Sequence, residues 1–154
     1  MKSLFFLLLL AAKMKVEITT KQFNPWACLQ DYESTTLEHG KYGALANFVG
    51  TMRDYNQGDT VQKMYLEHYP GMTEKYLLKI SQTAMQRWDI LDTLIIHRVG
   101  EIQICDTIVL VAAWAGHRAP AFEASRFLIE ELKHNAPFWK QETLTDKMRW
   151  VEFN

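Results

Sequence analysis

An α+β fold with a split βαβ core is what this sequence predicts, and three observations carry the prediction. Two long segments, from Thr73 and from Ala119 to His134, repeat apolar residues at helical spacing. Between and around them lie short β-branched runs. From Val61 onward the order reads strand, helix, strand, strand, helix, strand, the alternation of a split βαβ domain. The chain has 154 residues, 48% apolar and 23% charged, a balance that buries one ordinary core.

The elements follow in order. Met1-Lys2-Ser3 precedes an apolar run, Leu4 to Ala12, too short to span a bilayer as a helix. The run resembles the charged and apolar regions of a signal peptide, but Leu10 stands where a cleavage site wants a small residue. Two readings remain: an export signal, or a dispensable extension over residues 1–13 with the domain filling 14–154 from a start at Met14. The second is the expectation. Val16 to Thr19 alternates apolar and polar and predicts a strand; Pro25 to Tyr32 predicts a helix with proline in its first turn. Gly43 to Met52 predicts a strand with a bulge or close approach at Gly50. Arg53 to Thr60 is polar and contains Gly58, so it predicts a loop; Val61 to His68 predicts a strand.

Thr73 is expected to cap the first long helix, whose core face is Tyr76, Leu77, Ile80, Ala84 and Trp88. Thr93 to Val99 and Thr107 to Trp114 predict strands, with Gly100 turning the chain between them. The second long helix offers Phe122, Ala124, Phe127, Leu128 and Leu132 to the core and ends at Asn135 and Pro137. Phe138 to Thr143 and Met148 to Phe153 predict closing strands.

Charge excludes some functions. The net charge is −1, without the basic face of a nucleic-acid binder, so an anion site has to come from a local cluster of cations. The two cysteines, Cys28 and Cys105, lie far apart and read as buried small hydrophobes. The five histidines fall in no HExxH or HxH spacing, so no metal site is legible. His97, in an apolar strand, reads as a core histidine; Trp88, Trp114, Phe127 and Phe138 read as core aromatics. Glu67 and His68, in a strand-to-helix turn, are weaker site candidates.

Cations gather beside turns in three places. Arg53 sits at the end of a strand. His117-Arg118 opens the second long helix, where unpaired N–H groups and the helix dipole favour an anion. Lys133 and Lys140 flank the His134-Asn135-Ala136-Pro137 break. Lysines sharing a pocket lower each other's pKa, which suits a general base or nucleophile; the residues alone do not show that the two converge, and Lys133 also reads as a simple helix-end lysine.

Several stretches in register resemble the large, catalytic subunit of molybdopterin synthase, the MoaE family. They are Leu66-Glu67-His68-Tyr69-Pro70-Gly71-Met72-Thr73-Glu74-Lys75, Ile96-His97-Arg98-Val99-Gly100-Glu101, Gly116-His117-Arg118 with Ala121-Phe122-Glu123-Ala124, Ala136-Pro137-Phe138-Trp139-Lys140 and Arg149-Trp150-Val151-Glu152. The resemblance runs from about Gly43 to Glu152. It implies an α/β hammerhead with an added antiparallel subdomain. It also implies a sulfurtransferase reaction on cyclic pyranopterin monophosphate that builds the dithiolene of molybdopterin in molybdenum cofactor biosynthesis. The sulfur donor it implies is a small ubiquitin-like, MoaD-like carrier ending in a Gly-Gly thiocarboxylate, in a cytoplasmic heterotetramer around a central homodimer. No metal or redox cofactor, nucleic acid or membrane is implied. The resemblance makes Lys133 and Lys140 catalytic. It adds Thr51, Met52, Arg53, His117, Arg118, Gln141 and Glu142 to them as substrate-binding residues, with His117-Arg118 reaching across the dimer. A non-enzymatic domain binding a pterin or small anion is the rival, since fold does not fix function.

Overall fold

A computed structural model describes residues 12–152. The extension expected over 1–13 therefore lies, Ala12 and Lys13 apart, outside the described residues. At its boundary the Asp92 carboxylate, 2% exposed, accepts the backbone N–H of Met14 at 2.8 Å and of Lys13 at 3.2 Å.

Among the described residues, two four-stranded sheets, a two-stranded one and three helices make an α+β architecture. The first sheet orders β1 (Lys15–Thr19), β6 (Ile90–Arg98), β8 (Thr107–Ala115) and β2 (Ala44–Thr51), with β1 and β6 parallel and the other pairs antiparallel. The second is antiparallel, ordered β10 (Met148–Val151), β9 (Phe138–Thr143), β5 (Lys63–His68) and β7 (Gly100–Gln103). The helices are α1 (Pro25–Thr35), α2 (Met72–Arg87) and α3 (Arg118–Asn135). The predicted alternation from Val61 is present, but its strands divide between the sheets: β5 and β9 pair with each other, β6 and β8 with each other.

The central strands β6 and β8 explain the apolar runs. Successive side chains point to opposite faces. Ile95, Val109, Val111 and Ala113 pack under α2 and α3, while Leu94, Ile96, Leu110 and Trp114 pack under α1. Both faces are covered, so the runs are continuous rather than alternating. A separate small core of Met52, Val61, Met64, Leu66, Ile102 and Leu144 backs the second sheet.

Five expectations change. Arg53 to Thr60 is not all loop: Tyr55–Asn56 (β3) and Asp59–Thr60 (β4) pair as a hairpin, with Gly58 at φ 81°. Gly100 turns the chain at φ 82° but also opens β7, a strand too short and polar to announce itself. Thr73 does not cap α2. Gly71 occupies that position, and its N–H donates to Glu74 Oε2 at 2.6 Å. Phe122 is 67% exposed, because the buried stripe of α3 is Ala121, Ala124, Leu128 and Leu132 and Phe122 lies about 100° around the helix from it. Cys105 is exposed, at φ 72° in the turn after β7, and Cys28 is half-buried. Gly50 does mark a bulge, between Gly50 and Thr51. Trp114, Phe138 and His97 are core residues as expected, and Trp88 and Phe127 pack on the core's rim at 5.2 Å from each other. Among the described residues no helix is long and apolar enough to cross a membrane.

Candidate active site

The α3–β9 junction places the lysines. Lys133 lies in the last turn of α3 and Lys140 in β9, and the chain reverses between them at Ala136-Pro137. Burial lowers the pKa of Lys133, and the nearby Lys140 ammonium lowers it further. Lys140 is also pushed down by burial. Glu142 opposes that shift, and Arg53 and Arg149 add to it. The charge of Lys140 therefore reaches Lys133, and that of Arg53, just past the end of β2, reaches Lys140. This convergence was open in the sequence.

Lys133 borders two clefts. One, of about 520 Å³, lies between β2 and α3, with Phe48, Phe122, Ile129 and Lys133 along it. Phe122, Arg126, Ile129 and Lys133 follow helical spacing, which explains why Phe122 faces this cleft rather than the core. The other, of about 500 Å³, runs past Phe138 to the exposed Trp139 and Trp150 on the second sheet.

A latch holds Arg53's segment beside the lysines. Glu142, 2% exposed, accepts from Asn56 Nδ2 at 3.1 and 3.2 Å and from Arg149 Nε at 3.0 Å. Arg149 also donates to Asp59 at 2.8 Å and to the Asn56 carbonyl at 3.0 Å. Arg53 donates to Asn56 Oδ1 at 3.4 Å, and its guanidinium lies 4.7 Å from the Tyr55 ring centroid. The β3–β4 hairpin is thereby tied to β9 and β10. Asn56 went unnoticed in the sequence because a polar loop residue carries no pattern; Arg149 stood only within a family-like motif.

The remaining candidates divide. Thr51 is exposed at the bulge. Met52 is 2% exposed and its side chain belongs to the small core. Gln141 is half-buried between Tyr65 and Trp150 in register. His68 faces Glu74 at 3.4 Å, and Glu67 is exposed. His117 and Arg118 are exposed at the start of α3, and Lys133 is fifteen residues further along, roughly 22 Å by helical rise. One chain does not bring that pair to the lysines. A close approach of Gly43 to the Gly116 carbonyl fixes their corner, and a Cβ at Gly43 would collide with that oxygen. Among the described residues no group of three or more His, Cys, Asp or Glu side chains is placed to hold a metal.

Fold and site together define an α+β domain that gathers cations around two lysines of lowered pKa, a setting for an anionic substrate and proton transfer. Comparison with known proteins narrows that class. The MoaE protein family profile matches residues 18–135. A protein of Ralstonia nicotianae named molybdopterin synthase catalytic subunit is 56% identical over 71% of this chain, and the match spans 62% of that relative's own length. One of the same name from Vibrio cholerae is 44% identical over 85% of this chain and 87% of its own. The solved MoaE protein of Burkholderia ambifaria superposes with a TM-score of 0.75 at 46% identity, covering 90% of this chain and 89% of that one. This chain belongs to the MoaE family.

Proposed function

We propose that the chain is the catalytic subunit of a molybdopterin synthase. In this reading it transfers sulfur from the thiocarboxylated C-terminus of a small ubiquitin-like carrier to cyclic pyranopterin monophosphate, in the cytosol. The observation that carries the reading is the pair of lysines, each of lowered pKa, in one cationic field with Arg53. A phosphate-bearing substrate and a thiocarboxylate are both anions, and a pocket of fixed positive charge offsets their repulsion where water is thinned out.

Lys133 is the acid/base of the transfer, or briefly a covalent helper. Lys140 positions substrate and stabilises developing negative charge. Arg53 suits the phosphate because its planar fork binds two oxygens. Gln141 and the Thr51 segment complete the substrate wall, and Glu142 holds the hairpin that carries Arg53. His117 and Arg118, displaced along α3 from the lysines, serve the pocket of a second copy, so the working assembly is a central dimer with a carrier at each end. The solved structure of a molybdopterin synthase from Staphylococcus aureus, 31% identical with a TM-score of 0.78, has the same fold. Sulfur arrives on the carrier, so neither Cys28 nor Cys105 is needed as a nucleophile.

The test is a coupled assay of purified chain, thiocarboxylated carrier and cyclic pyranopterin monophosphate, scored for dithiolene product. Wild type forms product, and Lys133→Ala loses on the order of 10²–10⁴-fold in rate. Binding of the pterin without product on adding carrier would instead mark a sensor.

A further inference from the structure

The turn between the two lysines is held from outside its own segment. Thr73, fully buried in the first turn of α2, donates its hydroxyl to the Pro137 carbonyl at 3.1 Å. Thr73 Oγ1 in turn accepts the Tyr69 N–H at 3.0 Å, so the rotor is fixed. One residue on, the Phe138 ring stacks on His97 with centroids 4.0 Å apart and planes 16° from parallel. His97 is fully buried at the end of β6. Its Nδ1 lies 2.7 Å from the Arg98 carbonyl, which can only accept, so Nδ1 carries the proton and Nε2 keeps a lone pair. That Nε2 is buried and has no hydrogen-bond partner among the described residues. A phenyl ring would stack as well without an orphaned acceptor. What the imidazole adds is the Nδ1 anchor that fixes the plane against which Phe138 lies. The ring stays neutral, its pKa held down to about 3 by burial and by Lys133 and His68 nearby.

We propose that Thr73 and His97 are positioning residues that clamp the Pro137 turn from α2 and β6 and so set the approach of Lys133 to Lys140. The role in catalysis rests on the reading of the lysines given above; the clamp itself is a statement about their geometry. Lys133 precedes Pro137 by four residues and Lys140 follows it by three, so a small rotation at the turn separates their ammonium groups. The charged and titratable groups facing the pair are His134 on α3, His97 on β6, His68 on β5, Glu142 on β9, Arg149 on β10, Glu152 beyond it, and Arg53. Of these only His97 is altered by the positioning variants, and its ring is neutral, so its replacement removes no charge from the pair.

The experiment uses the full-length chain with Thr73→Val, Thr73→Ser, His97→Phe and Lys133→Ala. Competitive acetylation read by mass spectrometry gives the pH midpoint of Lys133 reactivity, and the coupled assay gives kcat and KM against pH. Thr73→Val and His97→Phe should move the Lys133 midpoint to higher pH, because separated lysines protonate more readily. They should lower kcat at pH 7 roughly tenfold to a hundredfold, with the profile displaced alkaline and KM for the carrier within about twofold of wild type. Thr73→Ser, which keeps the hydroxyl, should restore both. A fold weakened elsewhere, with the turn still packed, would lower the urea midpoint of unfolding and leave the Lys133 midpoint and the pH profile in place. If both Thr73→Val and His97→Phe fold and keep the wild-type midpoint, the clamp is overturned; if Thr73→Val does not fold, the His97→Phe midpoint decides. Full activity in Lys133→Ala would overturn the catalytic reading alone, since the midpoint in the other variants still judges the clamp.

Discussion

Replacing Lys133 with methionine should make the protein more stable at neutral pH and inactive. The amine is mostly buried, and burial and then Lys140 hold its pKa below the ordinary lysine value. An unfolded chain protonates the same amine with a pKa of about 10.4. Between the lowered value and that one, the unfolded state binds more protons than the folded state, so stability rises with pH. Below the window the whole penalty of a charged, crowded ammonium is present; above it the penalty is gone. Each unit by which the pocket lowers the pKa amounts to about 1.4 kcal/mol, and methionine, of similar length, recovers it without opening a cavity. The advantage of the variant is therefore largest at pH 7 and shrinks toward pH 10, at no more than about 1.4 kcal/mol per pH unit for one proton. Urea unfolding of both proteins from pH 7 to 10, with equal m-values, measures the gap. A variant less stable than wild type at pH 7, or a gap that does not close with rising pH, refutes the assignment of a destabilised ammonium to Lys133.

Other perturbations test other parts of the site. Gly43→Ala drives a methyl into the Gly116 carbonyl and should cost about 1–3 kcal/mol in urea unfolding; sulfur transfer should fall further than stability explains, because the His117-Arg118 corner shifts. Arg149→Gln unties the β3–β4 hairpin from Glu142 and Asp59. Amide exchange at residues 55–60 should quicken, KM for the pyranopterin should rise, and the Lys140 pKa should rise with one cation removed. Leu128→Ala empties a fully buried position under α3 and should lower stability by about 2–5 kcal/mol. Cys105→Ser should leave turnover unchanged, and iodoacetamide should label Cys105 in the native protein, since the thiol is exposed and sulfur comes from the carrier.

What the sequence disclosed was what short-range periodicity encodes. The α3 stripe, the continuous apolar strands β6 and β8, and the bulge at Gly50 each follow from a handful of neighbouring residues. Phe122 was misjudged because hydrophobicity shows that a residue avoids water, not that it lies on the buried side; its position beside Ala121 rather than on the 121–124–128 stripe held the answer. The resemblance implied an added antiparallel subdomain, but which strands go to which sheet was not legible in local pattern. That allocation depends on pairings such as Leu66 with Lys140 and Ile95 with Val111, whose partners no local pattern specifies. The hairpin was hidden for the same reason: its residues are polar, and the side chains that latch it come from β9 and β10.

The site shows the same divide and gives it a physical sense. Lys133 and Lys140 are near neighbours in sequence, so their pairing could be suspected; whether they meet depends on Pro137, and Pro137 is held by Thr73 and, through Phe138, by His97. α3 packs on the first sheet and β9 is a strand of the second, so the lysine segment is the link by which the chain passes from one layer to the other. Each lysine thus takes its position from a different core. Core substitutions under α3 should act mainly through Lys133, and substitutions in the small core of Met52, Met64 and Ile102 mainly through Lys140 and the Arg53 hairpin. A change at the Pro137 junction alters their relation while leaving both cores packed.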